Sequence, residues 1–358
     1  MKVAVIPSDT GACGYFRLIW PAEAVRSVRP DWTVNVYRPQ DVKVGMGPRG
    51  VSVRGLDLTD LDMVVMQRVG TPRQVDMARA LQAAGIAVVI DVDDALYAID
   101  PDSGSYAAWN DRRSATHWSN LEEACRRADL VTVTTDALAR HYARHSRVER
   151  IPNGLPDGAY EEPVVLSGLT DHVVLGWSGV AVSHPHDLEV VGAAVANVLA
   201  SDPQVSVKVV GDAAWAAGVL QVPKDRLIDG GLHPLNYYHA ALAGTDVGMV
   251  PLANTKFNEA KSALKALEYL GVGARVVASR TPANVELTLS AGTDAMSICT
   301  TPEGWEQGLR QQIAAVRWHR AQGTNPGRDV WYMSILGRAE EWAAAWERAA
   351  ARRKNLTR

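Results

Sequence analysis

Short apolar runs rich in Val and Ile alternate with longer segments of helical periodicity along nearly the whole chain. In the first half, the runs at 3–6, 32–37, 63–66, 86–90, 130–134 and 148–151 predict strands, with helices over 73–84, 120–128 and 136–145 between several of them. In the second half the strand runs are 173–177, 205–210, 246–250, 275–278 and 296–299, and helices are predicted over 186–200 and 234–243. Strands that are apolar throughout and separated by helices predict an α/β fold: doubly wound parallel sheets covered on both faces. The two halves meet at Pro-Asn-Gly-Leu-Pro-Asp-Gly, 152–158, and a polar stretch to about 171, which carry the turn formers of a linker. This divides the chain into a first Rossmann-like domain over 1–165, a second over 166–325 and a tail over 326–358. The tail reads as a long Ala/Glu/Arg helix from about 331 to 353, with Trp342 and Trp346 four apart. Such a helix either crosses back over the first domain or is a plain amphipathic terminus, and both readings stay open.

The stretch 254–279 predicts a loop, a helix of about three turns, a Gly-rich corner and a short buried strand. Helical spacing sets Leu264, Leu267 and Leu270 on one side and Lys261, Lys265 and Glu268 on the other. A solvated Lys/Glu face is the ordinary explanation. Against it, the helix opens just after a strand, so its N-terminus is expected at the carboxyl edge of a sheet. Lys261 and Ser262 in its first turn are the groups an anionic phosphate wants beside free backbone amides.

At 358 residues the chain suits two domains of roughly 150–180 residues. No run reaches the ~18 apolar residues of a membrane span, and the opening MKVAVIPSD lacks the features of a signal peptide, so a cytoplasmic protein is expected. Cys13, Cys125 and Cys299 are widely spaced, show no metal-ligand spacing and read as reduced thiols. A net charge of −3 argues against a surface built for generic nucleic-acid binding while leaving room for a local patch.

Ligands of doubly wound sheets lie at the carboxyl ends of strands, so each strand-to-helix corner is a candidate. After the first strand comes SDTGACGYFR, in which Gly11 and Gly14 permit close backbone approach and Tyr15 and Arg17 follow; an ordinary tight turn is the alternative. The spacing is not that of a dinucleotide fingerprint, which disfavours a dehydrogenase. Asp91, Asp93 and Asp94 end a buried strand as a helix cap, a wall of a polar cleft or, least well, a metal site. SGVAVSHPHD places Ser178 and Gly179 in a phosphate-cradle-like corner, with His184 and His186 as polar surface or substrate contacts more readily than metal ligands. Gly211 and Asp212 end another strand, and the corner at 230–233, with Leu232 and His233, offers backbone to a flat base.

Taken together, these corners resemble those of GT-B fold glycosyltransferases of the retaining "group 1" type. The likeness runs through the Gly loop with Tyr15 and Arg17, VIDVDDAL at 89–96, ADLVTVTT at 128–135, IPNG at 151–154, LGWSG at 175–179 and VVGD at 209–212. KSALKALEYLGVGARVVAS at 261–279 is its most specific part. The resemblance implies two Rossmann-like domains facing across a cleft. It also implies transfer of a sugar, with retention, from a UDP- or GDP-sugar to a hydroxyl of a saccharide or glycoconjugate, with no metal and no cofactor. In that reading Glu268 binds the ribose, and Lys261, Ser262 and Lys265 neutralise the departing diphosphate. The corner at Gly231–His233 seats the base, and Asp93 and Asp94 stand where relatives often carry a histidine facing the donor sugar. Ala260 occupies the place of the first glutamate of the family's E-x7-E element, and Ser178 and His184 replace a usual Arg and Lys. Two other readings are a GT-B-like nucleotide-sugar binding protein without turnover, motivated by Ala260, and a sugar-nucleotide epimerase.

Among the arginines of the first half, helical spacing puts Arg140, Arg144 and Arg147 on one face, a solvated surface or an acceptor site for an anion. GT-B enzymes that glycosylate modified bases in viral DNA exist. Phage DNA is therefore the runner-up acceptor, with the host cytoplasm expected if the chain is viral.

Overall fold

The structure is a computed structural model that describes residues 1–47, 50–110, 117–158, 171–180, 182, 186–291, 294–324 and 333–356. The first half contributes strands β1 (Lys2–Ile6), β2 (Thr33–Val36), β3 (Lys43–Gly47), β4 (Gly50–Arg54), β5 (Met63–Gln67), β6 (Ala87–Val92), β7 (Leu130–Val133) and β8 (Val148–Arg150). The second half contributes β9 (Val173–Gly179), β10 (Val205–Gly211), β11 (Leu227–Gly231), β12 (Val247–Val250), β13 (Arg275–Ser279) and β14 (Met296–Cys299). They form two six-stranded sheets of order β2-β1-β5-β6-β7-β8 and β11-β10-β9-β12-β13-β14, every pairing parallel. A β3–β4 antiparallel hairpin, unsignalled by its Gly-rich sequence, is appended to the first domain.

Each sheet is buried on both faces, which is why its strands are apolar in successive positions. On one face of the first sheet Val64, Met66, Val88 and Ile90 meet Val75, Leu81, Leu121 and Leu138 of the covering helices. On the other, Val3, Val5, Met63 and Val89 meet Leu18 and, from the far end of the chain, Trp342 and Trp346. The terminal helix, Ala339–Leu356, thus covers the first domain, and it begins later than the composition suggests. The chain crosses between domains twice, and the two crossings touch: Leu155 bridges Ser334. Gly154 makes this approach possible, since a Cβ there would stand 2.8 Å from the backbone of Ser334 and Ile335.

Three expectations change. The helix expected to start near 261 is broken in two, Lys256–Glu259 and Leu264–Gly271, with 260–263 outside either helix. No local helix breaker stands there. Ala260 is instead drawn into the first domain's core, 2% exposed, while its carbonyl accepts a hydrogen bond from Thr135 Oγ1 at 2.9 Å. The helix after β7 ends at Tyr142, so Arg144 and Arg147 lie beyond it and share no helical face with Arg140. Finally, helices over Ala213–Leu220, Pro282–Ala291 and Pro302–Ala321 fill the second domain where the strand pattern alone gave no signal. The proposed boundary at 165 and residue His184 lie outside the described residues.

Candidate active site

The carboxyl end of β9 and the helices Leu235–Leu242 and Leu264–Gly271 bring four polar side chains together. Ser178, buried at the end of β9, accepts a hydrogen bond from Lys265 Nζ on its carbonyl at 2.7 Å and one from Tyr238 OH on its Oγ at 2.8 Å. Tyr238 OH also reaches Glu268 Oε2 at 3.5 Å, and Glu268 is only 4% exposed. Burial pushes the Glu268 carboxyl up to about 7, against the pull of the Lys265 charge and the Tyr238 hydroxyl. Burial likewise lowers the Lys265 ammonium pKa, while Glu268 acts to restore it. Lys265 and Glu268 therefore sit on the helix face opposite Leu267 and Leu270, with Lys265 half-buried and Glu268 buried rather than solvated. Gly179 and Gly211 pair at the ends of β9 and β10, where a Cβ on Gly211 would strike the Gly179 carbonyl at 2.0 Å. Glycine at 211 thus serves the close packing of the two strand ends against each other.

Lys261 and Ser262 lie in the non-helical turn that faces the first domain. Lys261 Nζ is 3.8 Å from Asp94 Oδ1 and 4.9 Å from the centre of the Phe257 ring. Ser262 Oγ accepts a hydrogen bond from Asn153 Nδ2 at 3.0 Å. Asp187 fixes the preceding loop by accepting from Ala253 N and Asn258 Nδ2, both at 2.8 Å. Ala260 has no room to be glutamate, and the neighbouring Glu259 is exposed.

In the first domain the aspartates are partnered from within. Asp93 receives two hydrogen bonds from Arg68, at 2.5 and 2.6 Å. Its burial raises the carboxyl pKa, but the Arg68 charge and hydrogen bonds outweigh this and hold it below the ordinary value. Asp94 takes the second reach of Arg68 at 3.0 Å and still faces Lys261. Arg68 itself, with a left-handed φ of 50°, was invisible in the sequence, where nothing marks Gln-Arg-Val-Gly as special.

The Gly loop after β1 is already occupied by its own carboxylate: Asp9 Oδ1 accepts from Gly11 N at 2.8 Å and Gly14 N at 3.2 Å. The amides assigned to a donor are thus spent inside the loop. Tyr15 leans against Trp20, ring centres 5.1 Å apart. Arg17 is not a donor contact either. It is 1% exposed, bonded through two nitrogens to Asp91, and donates to the Ile151 carbonyl at 2.8 Å and Asn153 Oδ1 at 2.9 Å. The corner at Gly231–His233 stands at the end of edge strand β11, with Leu232 77% exposed and His233 Nε2 2.6 Å from the Gly230 carbonyl. Arg147 is displaced from the cleft: its carbonyl accepts from Val131 N, near the amino end of β7.

Two cavities open between the domains on either side of the 257–262 segment. The smaller, about 260 Å³, is lined by Arg68, Asp94, Trp109, Asp187, Asn258 and Lys261 among others. The larger, about 760 Å³, is bounded by Arg150, Asn153, Glu259, Ser262, Arg280 and Glu286 with an apolar wall that includes Leu264 and Leu267. At the outer edge of the cleft, His186 Nε2 lies 3.0 Å from Asp102 Oδ2, and Gly104 N donates to the Val182 carbonyl at 3.1 Å.

No family model matches the chain, and no curated protein matches it in sequence. Solved structures do match in fold, end to end. α,α-Trehalose 6-phosphate synthase from Burkholderia multivorans superposes with a TM-score of 0.57 at 14% identity, covering 100% of this chain and 98% of the other. HepE of Anabaena, solved with UDP, gives 0.56 at 16% identity with the same coverages. UDP-GlcNAc 2-epimerase from Neisseria meningitidis, bound to UDP-GlcNAc, gives 0.51 at 11% identity over 97% and 99%. The class this establishes is architectural: the chain has the GT-B fold, two Rossmann-like parallel-sheet domains with their strand ends turned toward one cleft. Among the described residues no helix is long and apolar enough to cross a membrane.

Proposed function

We propose that this protein is a retaining glycosyltransferase that moves a sugar from a nucleoside-diphosphate sugar to a hydroxyl acceptor without a metal. The observation that carries the reading is the cluster of half-buried Lys265 and buried Glu268 at the carboxyl edge of the second sheet, with Lys261 and Ser262 beside it at the domain junction. Ionised Glu268 accepts the ribose hydroxyls, and Lys265, released from the Ser178 carbonyl, joins Lys261 on the diphosphate. The bond between anomeric carbon and diphosphate oxygen breaks as the acceptor oxygen bonds on the same face, and the acceptor proton leaves with the phosphate. Cations fixed beforehand where charge develops are the main means by which such a site lowers the barrier. Asp94, next to Lys261 in the smaller cavity, accepts from a sugar hydroxyl, while Asp93 serves to hold Arg68. That cavity of about 260 Å³, with its carboxylates, one amide and one indole, suits a single sugar ring, which favours a saccharide acceptor over DNA.

Incubation with UDP-, GDP- and ADP-sugars and a panel of saccharide, lipid and hydroxymethylated-DNA acceptors, read by mass spectrometry, should show a glycosylated product with the donor's anomeric configuration. Nucleotide binding with neither transfer nor donor hydrolysis would sink the enzyme in favour of a binding protein. The likeness to a UDP-GlcNAc 2-epimerase supports a second reading, in which UDP-GlcNAc is interconverted with no acceptor present.

The pH dependence follows from Glu268. Its pKa in the folded chain is raised from the ordinary 4.5 to about 7. The protonated carboxyl therefore favours the fold below its unfolded value, and that contribution is lost as pH rises through about 7. Ribose binding needs the opposite, ionised form. UDP-glucose, whose diphosphate keeps its charge across this range, should accordingly bind roughly tenfold more weakly at about pH 6 than at about pH 8 by calorimetry. Glu268→Gln should flatten the profile.

A further inference from the structure

Asn153 lies in the crossing between the domains, and both ends of its amide are used. Oδ1 accepts from Arg17 Nη1 at 2.9 Å, and Nδ2 donates to Ser262 Oγ at 3.0 Å. A guanidinium only donates, so the Arg17 contact fixes which end of the amide faces which way. Arg17 in turn has no freedom: it is held by Asp91 through two nitrogens and by the Ile151 carbonyl, and its guanidinium lies 4.8 Å from the centre of the Trp342 ring. The polarity then propagates in one direction. Asp91 sets Arg17, Arg17 sets the amide, and the amide fills an acceptor position on Ser262 Oγ, leaving the serine hydrogen as a donor toward the cleft.

We propose that Asn153 is a positioning residue for the diphosphate: it holds the Lys261–Ser262 turn and commits the Ser262 hydroxyl to donating to an anionic oxygen. This rests on the glycosyl-transfer reading of the same site. The bland alternative, that Asn153 merely shapes the linker, explains the contact with Arg17 but not the reach across to a serine of the other domain. Because Arg17 also touches Ile151, just before the first crossing, and Trp342, in the helix that follows the second, the donor turn is referenced to the ends of the hinge.

The test is a double-mutant cycle on the full chain, with UDP and uridine as probes in calorimetry. Asn153→Ala should weaken UDP about three- to tenfold, the worth of one ordinary hydrogen bond, and leave uridine unchanged because the contact lies at the phosphates. In a Ser262→Ala background the same substitution should have no further effect on UDP. Where alanine loosens the crossing, Asn153→Asp serves instead. Its carboxylate keeps Arg17 but accepts the serine hydrogen, so UDP should weaken more than in Asn153→Ala, again sparing uridine. An unchanged UDP affinity, an equal loss for uridine, or an equal loss without Ser262 overturns the assignment while leaving the site's reading intact. Wild-type protein that binds none of UDP, GDP and ADP takes down that reading and this one with it.

Discussion

Arg17→Ala should destabilise the first domain by roughly 3–5 kcal/mol, seen as a lowered urea midpoint of its unfolding transition. The magnitude follows from what is left behind. Asp91 is 0% exposed, and without Arg17 its remaining side-chain partner is the Thr132 hydroxyl at 2.7 Å. An uncompensated carboxylate in that position is far worse than no charge at all. The loss should also depend on pH. Burial already raises the Asp91 pKa above its ordinary 3.8, and removing the cation raises it further. In the variant the neutral carboxyl is tolerated at acid pH, and stability falls as pH rises and the folded state is forced to ionise. Arg17→Met combined with Asp91→Leu should recover most of the stability, since an apolar pair of similar volume often replaces a buried ion pair without cost. It should not recover UDP affinity, because Asn153 would still lack its anchor.

Lys265→Ala should leave the fold in place and lower turnover by roughly 10²–10³-fold, the usual cost of deleting one preorganised charge partner of a leaving group. Lys265 has a second effect that separates this variant from a simple loss of phosphate contact. Its charge draws down the Glu268 pKa, which burial has raised to about 7. Without it the carboxyl stays protonated to higher pH, so the midpoint of the UDP-glucose affinity profile should move upward. A Lys265→Ala variant with a normal rate constant would exclude this lysine from the first role, and an unmoved profile would exclude it from the second.

Much of the architecture was legible because it is a local property. A parallel strand covered on both faces must be apolar at successive positions, and runs such as those around Val64 and Val207 say so without help from the rest of the chain. Lys265 and Glu268 were legible for a similar reason, as helical neighbours opposite a leucine stripe. What escaped depends on distant partners. The chain from Arg17 to Asp91 and Asn153 spans separations of 74 and 136 residues, so a cation beside a glycine loop read as a ligand contact when it is a buried clasp. The Gly loop misled for the opposite reason: the anion that fills it is Asp9, only a few residues away. Arg68 and Tyr238 carry no signal at all outside the folded chain. The break at 260–263 is likewise tertiary, since nothing in Ala-Lys-Ser-Ala resists a helix.

Ala260 has a kinetic consequence. It belongs by sequence to the second domain and by burial to the first, with Phe257 packed beside it. On the glycosyl-transfer reading, separating the domains to admit a nucleotide would pull these two side chains out of an apolar core and break the Thr135 hydrogen bond. Opening becomes an activated step that precedes entry. Nucleotide association followed by stopped flow should then approach a plateau rate at high concentration, set by departure of this plug rather than by diffusion. Once the plug returns, the same movement that seals the cleft restores the Lys261–Ser262 turn. On that reading gate and donor site are one segment.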